Sequence, residues 1–313
     1  MDPLEAMVGL SLGALSVKAF FIISGFLVTQ SYINNDDPRY WFVSRFLRIY
    51  PALIVAIILF IFVIGLASTT DNKVTYLTSF HWLDYFITNS TLYTQWTING
   101  LSGVFNGVPL SGVFNISLWT LPFEVKMYLI FFGVFLFKLY KIRYVYLMLW
   151  LFVFCTYVYD IFFGLNMARF NKELIMFISY FGLGSIYYIF KDKIIISNKL
   201  FIVFITLVYI SYIYLDFKIF SLSFNLCLSY FIFLIAFKWK NINSKLLKND
   251  YSYGLYIYAF PIQQLYIYHY HMGIYEHFFL SFCTTLILAI LSWHLIEKKA
   301  LKYKVHFKRS SNE

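Results

Sequence analysis

Nine apolar runs, each long enough to cross or nearly cross a bilayer as a helix, recur along this chain of 313 residues with short connections between them. About 20 apolar residues span the hydrocarbon core. The runs are Ala19–Tyr32 (extended upstream by a Gly/Ser-rich start), Tyr50–Leu66, Leu118–Phe137, Tyr144–Phe163, Leu174–Phe190, Leu200–Leu215, Phe220–Phe237, Tyr253–Tyr268 and Phe278–Ile296. One connection is long: Ala67–Ser117 is polar and rich in Asn, Thr and Gly, and it predicts an interfacial helix near His81–Trp96. Nothing repeats internally and no second domain is marked, so the expectation is a single all-α, polytopic bundle over residues 1–313.

Lipid must be the solvent for most of these side chains. Only 13% of residues are charged and 61% are hydrophobic, against roughly 25% charged in soluble domains. A soluble fold could bury such a core but could not cover it with polar surface. The three cysteines, Cys155, Cys227 and Cys283, each fall inside an apolar run with no paired spacing, which predicts buried hydrophobes rather than disulfides or nucleophiles. The acidic start MDPLEAM has no basic segment of the kind that opens a secretory signal peptide.

The net charge of +10 reflects orientation in the membrane rather than nucleic-acid binding. Assigned to alternate loops, 19 Lys and Arg residues fall on one side, from Arg39, Arg45 and Arg48 to the tail at Lys308 and Arg309. Five fall on the other side, Lys18, Lys73, Arg169, Lys172 and Lys218, and Lys126 lies within a run. The positive-inside rule then places the Arg45 loop and the carboxyl terminus in the cytoplasm. Nine spans with a cytoplasmic tail put Met1 outside, as if one helix were missing at the start.

Few residues in these runs can carry chemistry. Arg45 and Arg48 lie three apart in SRFLRIYPAL, on one helix face, where a pair of guanidiniums serves either as a membrane anchor or as a forked grip on a phosphate-rich ligand such as coenzyme A. Glu124, in SLWTLPFEVKMY, enters a span within its first turns. A carboxylate there has a function or a partner, or stays ionised at the outer interface under the helix dipole. His269, His271, Glu276 and His277 have the composition of metal ligands without the spacing, so no metal is expected. His294 and Glu297 are three apart and predict a local hydrogen-bonded pair. No GxSxG, phosphate-binding glycine loop or zinc motif occurs.

Five segments taken in order resemble acyltransferase family 3, the membrane acyltransferases that O-acylate surface glycans. They are FFIISGFLVTQSY at 20–32, RFLRIYPAL at 45–53, SLWTLPFEVKMYL at 117–129, SYGLYIYAFPIQQ at 252–264 and SWHLIEKKALKYK at 292–304. The resemblance implies a ten-helix core in the bacterial inner membrane. It implies an acyl-CoA donor, commonly acetyl-CoA, on the inside and an acceptor hydroxyl on a lipid-linked or surface polysaccharide, such as a lipopolysaccharide O-antigen, at the outer face. Carried over by motif, Arg45 and Arg48 would hold the donor's phosphates. Phe20, Phe21, Ser24 and Gly25 would shape the acyl path, and Trp119 and Glu124 would lie near the reaction centre.

Two departures stand against that pattern. The family's first helix carries a histidine as base, whereas no histidine occurs here before His81; the resemblance therefore implies a chain lacking its first helix and, as written, its base. Lys299 stands where the family often has proline. The rival readings are a glycan flippase, which would show inverted repeats or broken helices, and a glycan polymerase with arginines in a large outer loop. Ala67–Ser117 contains no arginine.

Overall fold

Each of the nine apolar runs forms one long helix in the computed structural model, which describes Glu5, Gly9 and residues 11–92, 100, 101, 103–238 and 249–307. They are α1 (Leu12–Asn35), α2 (Pro38–Leu59), α5 (Leu121–Leu136), α6 (Arg143–Phe163), α7 (Arg169–Ile189), α8 (Asn198–Tyr214), α9 (Phe217–Lys238), α10 (Ser252–His269) and α11 (Ile274–Ser292). Two short helices, α3 (Lys73–Thr78) and α4 (His81–Thr91), occupy the long connection. Helix α4 lies where a helix is expected in that connection and ends at Thr91; Trp96 lies outside the described residues, as do Lys240, Lys245, Lys248, Lys308 and Arg309.

Six segments among the described residues are long and apolar enough to cross a membrane: 12–35, 38–68, 116–136, 143–163, 217–238 and 274–307. The other three long helices fall short of that standard. Helix α8 has 17 residues, α7 opens on Arg169, Asn171, Lys172 and Glu173, and α10 is rich in tyrosine and glutamine. The outward faces are greasy. Helix α6 exposes Met148, Leu149 and Phe152, an arrangement stable only against hydrocarbon. Cys155 is on that exposed flank and not in a core; of the three cysteines only Cys227 is buried.

The helix ends follow from local chemistry. Ser11 caps α1, its side chain accepting from the Ala14 N–H, and Asp36 closes the helix in the left-handed conformation. Asp37 caps α2 by accepting from the N–H groups of Arg39 and Tyr40, with Pro38 in the first turn, where its missing donor costs nothing. Pro51 lies inside α2 and removes the donor to the Leu47 carbonyl one turn after Arg48. The same helix runs through a π turn at Phe60–Gly65, where the Tyr76 hydroxyl donates to the Ile61 carbonyl.

The helices gather into two compact units. One comprises residues 1–36 and 127–243, the other 37–126 and 244–313. In the first, α1 and α7 pack so closely that a Cβ at Gly25 would overlap the Phe181 carbonyl oxygen, and one at Gly184 the carbonyl oxygen of Ile22. Beside this seam the Thr29 and Ser185 hydroxyls are 2.5 Å apart. Close approach through small residues and an interhelical hydroxyl bond is how helices associate where lipid competes for apolar contact.

In the second unit α10 and α11 pair along their length, and Asn115 and Thr120 tie the approach to α5 onto α10. The α11 rod continues as a π turn (Trp293–Glu297), a short helix (Lys298–Lys302) and a 3-10 turn (Tyr303–Phe307), and this tail packs on α2.

Candidate active site

Within the second unit, three of the motif segments meet at Arg48. Its Nη2 lies 2.5 Å from Asp250 Oδ2 and its Nη1 3.4 Å from Glu297 Oε2. The guanidinium carbon stands 5.9 Å from the centre of the Tyr253 ring, within cation–π range. Tyr253 in turn donates from its hydroxyl to the Ile49 carbonyl at 3.0 Å, in the turn that Pro51 loosens. Residues 48, 250 and 297 are thus brought together from α2, the approach to α10 and the π turn that follows α11.

The two carboxylates are held differently. Glu297 is 1% exposed, and its second oxygen accepts from the Ser292 hydroxyl at 2.9 Å. Asp250 is half exposed and accepts from both the N–H and the hydroxyl of Ser252. Burial acts to raise the Asp250 carboxyl, but the Arg48 charge and the Ser252 bonds outweigh it and keep it below the ordinary carboxylate value.

A local pair between His294 and Glu297 does not form. The His294 ring is 3.3 Å from the Tyr251 hydroxyl, while Glu297 bonds Ser292 and Arg48. The reason is the π turn over Trp293–Glu297. In an α-helix, residues three or four apart share a face; in a π turn the ladder closes at five, and five is the spacing of Ser292 and Glu297.

Glu124 stands in the first turn of α5 and is 6% exposed. The 3-10 turn Ile116–Thr120 leads into it and is fixed at both ends. Asn115 donates to the Ile257 carbonyl at 2.8 Å and accepts from the Ser117 N–H, and Thr120 lies 2.5 Å from the Tyr256 hydroxyl. The Glu124 charge acts on the hydroxyls of both Tyr253 and Tyr256. Because the charges of Arg48 and Glu297 also act on Tyr253, this one buried tyrosine stands within electrostatic reach of the arginine cluster and of Glu124.

Trp119 packs edge-on against Phe123, with ring centres 6.0 Å apart. Arg45 is partly buried on α2, one turn before Arg48. In the first unit Phe21 is fully buried and stacked on Phe177 at 4.2 Å, Gly25 lies in the α1–α7 seam, Ser24 is half-buried and Phe20 is 42% exposed. The loop histidines make local contacts: His277 Nε2 is 3.1 Å from the Gln263 carbonyl and Glu276 accepts from the Gly273 N–H. Among the described residues no group of three or more His, Cys, Asp or Glu side chains gathers as metal ligands do.

Asp250, Glu297, Ser292 and Tyr253 were not singled out from sequence as members of a site with Arg48. A clue was available: carboxylates at the ends of two spans on the side assigned to the arginines.

Comparison with known proteins identifies the family. The acyltransferase domain of acyltransferase family 3 matches residues 2–294. An O-acetyl transferase of Shigella phage Sf6 is 28% identical over 300 residues, covering 93% of this chain and 86% of the phage protein. Nodulation protein 10 of Rhizobium leguminosarum bv. viciae is 36% identical over 135 residues, 41% of this chain and 35% of that protein. No solved structure matches. The chain belongs to acyltransferase family 3 and is a multi-pass membrane O-acyltransferase.

Proposed function

We propose that this protein, in a bacterial inner membrane with its carboxyl terminus in the cytoplasm, moves an acyl group, acetyl first among them, from acyl-CoA to a sugar hydroxyl of a surface polysaccharide or its lipid-linked precursor. The observation that carries the reading is the likeness to an O-acetyl transferase over 93% of the chain. The arginine pair of α2 supplies the phosphate-binding chemistry a coenzyme A donor needs. The reaction forms a bond between the sugar oxygen and the acyl carbon and breaks the carbon–sulfur bond of the thioester. The hydroxyl proton ends on the departing sulfur as the thiol.

Glu124 is the group that handles or orients that proton. It is a carboxylate at the start of a span, it is buried, and its charge acts on the hydroxyls of Tyr253 and Tyr256. A buried carboxylate hydrogen-bonded to a base fixes that base's orientation and stabilises the charge it acquires. Trp119, five residues before Glu124, offers an aromatic wall on which a sugar ring can rest.

The test is expression in a bacterium whose surface polysaccharide lacks O-acyl groups, with the polysaccharide analysed by NMR. New O-acetyl signals that disappear with Glu124→Gln are expected. Polysaccharide left unmodified by membrane-inserted protein would overturn the reading. Altered export of an unmodified lipid-linked glycan would support a flippase instead.

A further inference from the structure

Arg48 has two acidic partners of unlike standing. Glu297 is 1% exposed, sits on a helical rod and has its other oxygen held by Ser292. Removing such a partner leaves a buried charge without its counter-ion. Asp250 is 51% exposed, precedes α10 and takes the Nη2 edge of the guanidinium. An exposed pair of this kind is worth little and exchanges readily with other anions. One guanidinium needs one carboxylate for neutrality, so the second is surplus to structural need.

We propose that Asp250 is a resident stand-in for a phosphate of the acyl donor. The phosphate takes the Nη2 edge in its place, while Glu297, locked by Ser292, is a positioning residue that holds the guanidinium plane for either anion. The inference rests on the reading that acyl-CoA is the donor and that Arg48 meets it. A guanidinium presents parallel N–H groups in a rigid fork, so an anion arriving at one edge requires the plane to be fixed from the other. Because Asp250 is tethered to the same chain, it competes with the donor at a high effective concentration. Donor affinity is then the difference between two anions bidding for one edge.

That competition has a direction no structural role can mimic. Asp250→Asn keeps the size of the side chain and a hydrogen-bond acceptor for Ser252 while removing the competing charge. The experiment is equilibrium binding of coenzyme A to the full chain purified in detergent, with Asp250→Asn, Glu297→Gln, Ser292→Ala and Arg48→Ala beside it. Asp250→Asn should tighten binding by about two- to five-fold, the worth of a part-exposed ion pair. Glu297→Gln should weaken it by about ten-fold, the cost of a lost charged hydrogen bond, with Ser292→Ala falling between that and the parent. Unchanged or weaker binding by Asp250→Asn, while Arg48→Ala still weakens it, overturns the stand-in role and leaves the donor site intact. If Arg48→Ala also binds coenzyme A normally, the donor site at Arg48 fails and the stand-in role with it.

Discussion

Ser292 donates a hydrogen bond to Glu297 at 2.9 Å, five positions along the same rod, and Glu297 then turns its other oxygen to Arg48. In an unbroken α-helix the residue five positions on lies well round the cylinder. The π turn that brings the two together therefore also selects the carboxylate that meets the arginine.

Arg48→Ala should destabilise the protein by about 3–5 kcal/mol, because it strands Glu297 as a buried charge. Pairing it with Glu297→Gln should recover most of that loss. Unfolding in detergent across the double-mutant cycle measures the coupling. An additive result would show that the pair is energetically idle.

Glu124→Gln keeps shape and loses charge. It should insert and unfold like the parent while acyl transfer falls by about 10²- to 10⁴-fold, the usual contribution of a positioned acid or base. Transfer assayed in membranes, beside a fold check, separates the two. Near-normal transfer would return Glu124 to an interfacial role.

Asp250 contributes to stability in a defined pH window. Its folded value lies below the ordinary 3.8, so its contribution is fully present above that value and is lost as pH falls through the lower, folded one. The parent's unfolding midpoint should stay level from neutral pH down to the carboxylate range and then drop. Asp250→Asn should make that acid limb slightly shallower, the rest belonging to other paired carboxylates such as Asp192, which Arg143 holds below its ordinary value; identical acid limbs in the two proteins would count against the assignment.

Gly25→Leu should push α1 and α7 apart, since even a single added carbon would overlap the Phe181 carbonyl. Overpacking of this kind costs about 1–3 kcal/mol or more. Gly25→Ala should already lower the unfolding midpoint, and Gly13→Ala, which has open space around it, should not.

Reporter fusions after Lys141, Lys193 and Glu313 should read as cytoplasmic and one at Asn89 as external, as the split of 19 basic residues to five requires. Two loops on the wrong side would break that orientation.

The helices were legible in the chain because hydrocarbon thickness imposes a length that a run such as Tyr144–Phe163 cannot hide. The partners of Arg48 were not. Asp250 and Glu297 lie 202 and 249 positions away, and no local rule links residues so far apart. His294 and Glu297 were paired on α-helical spacing, which fails at a π turn that leaves no mark in residue type. Gly25 read only as part of a motif, because the surface that requires it, the Phe181 carbonyl, belongs to another helix. Glu124 stood out at once, since a carboxylate entering a span is costly wherever its partners lie.

The π turn also acts beyond its own five residues. A π turn holds one residue more than the α turn it replaces, and everything after it is carried round the rod axis by that residue. The tail from Lys298 to Phe307 follows directly and lies along α2, with Lys304 reaching over the ring of Tyr40 at 5.9 Å. Deleting one residue between Trp293 and Glu297 would change little in composition or length. It would swing the whole tail to a new azimuth, so that the side facing α2 became one that packing never selected.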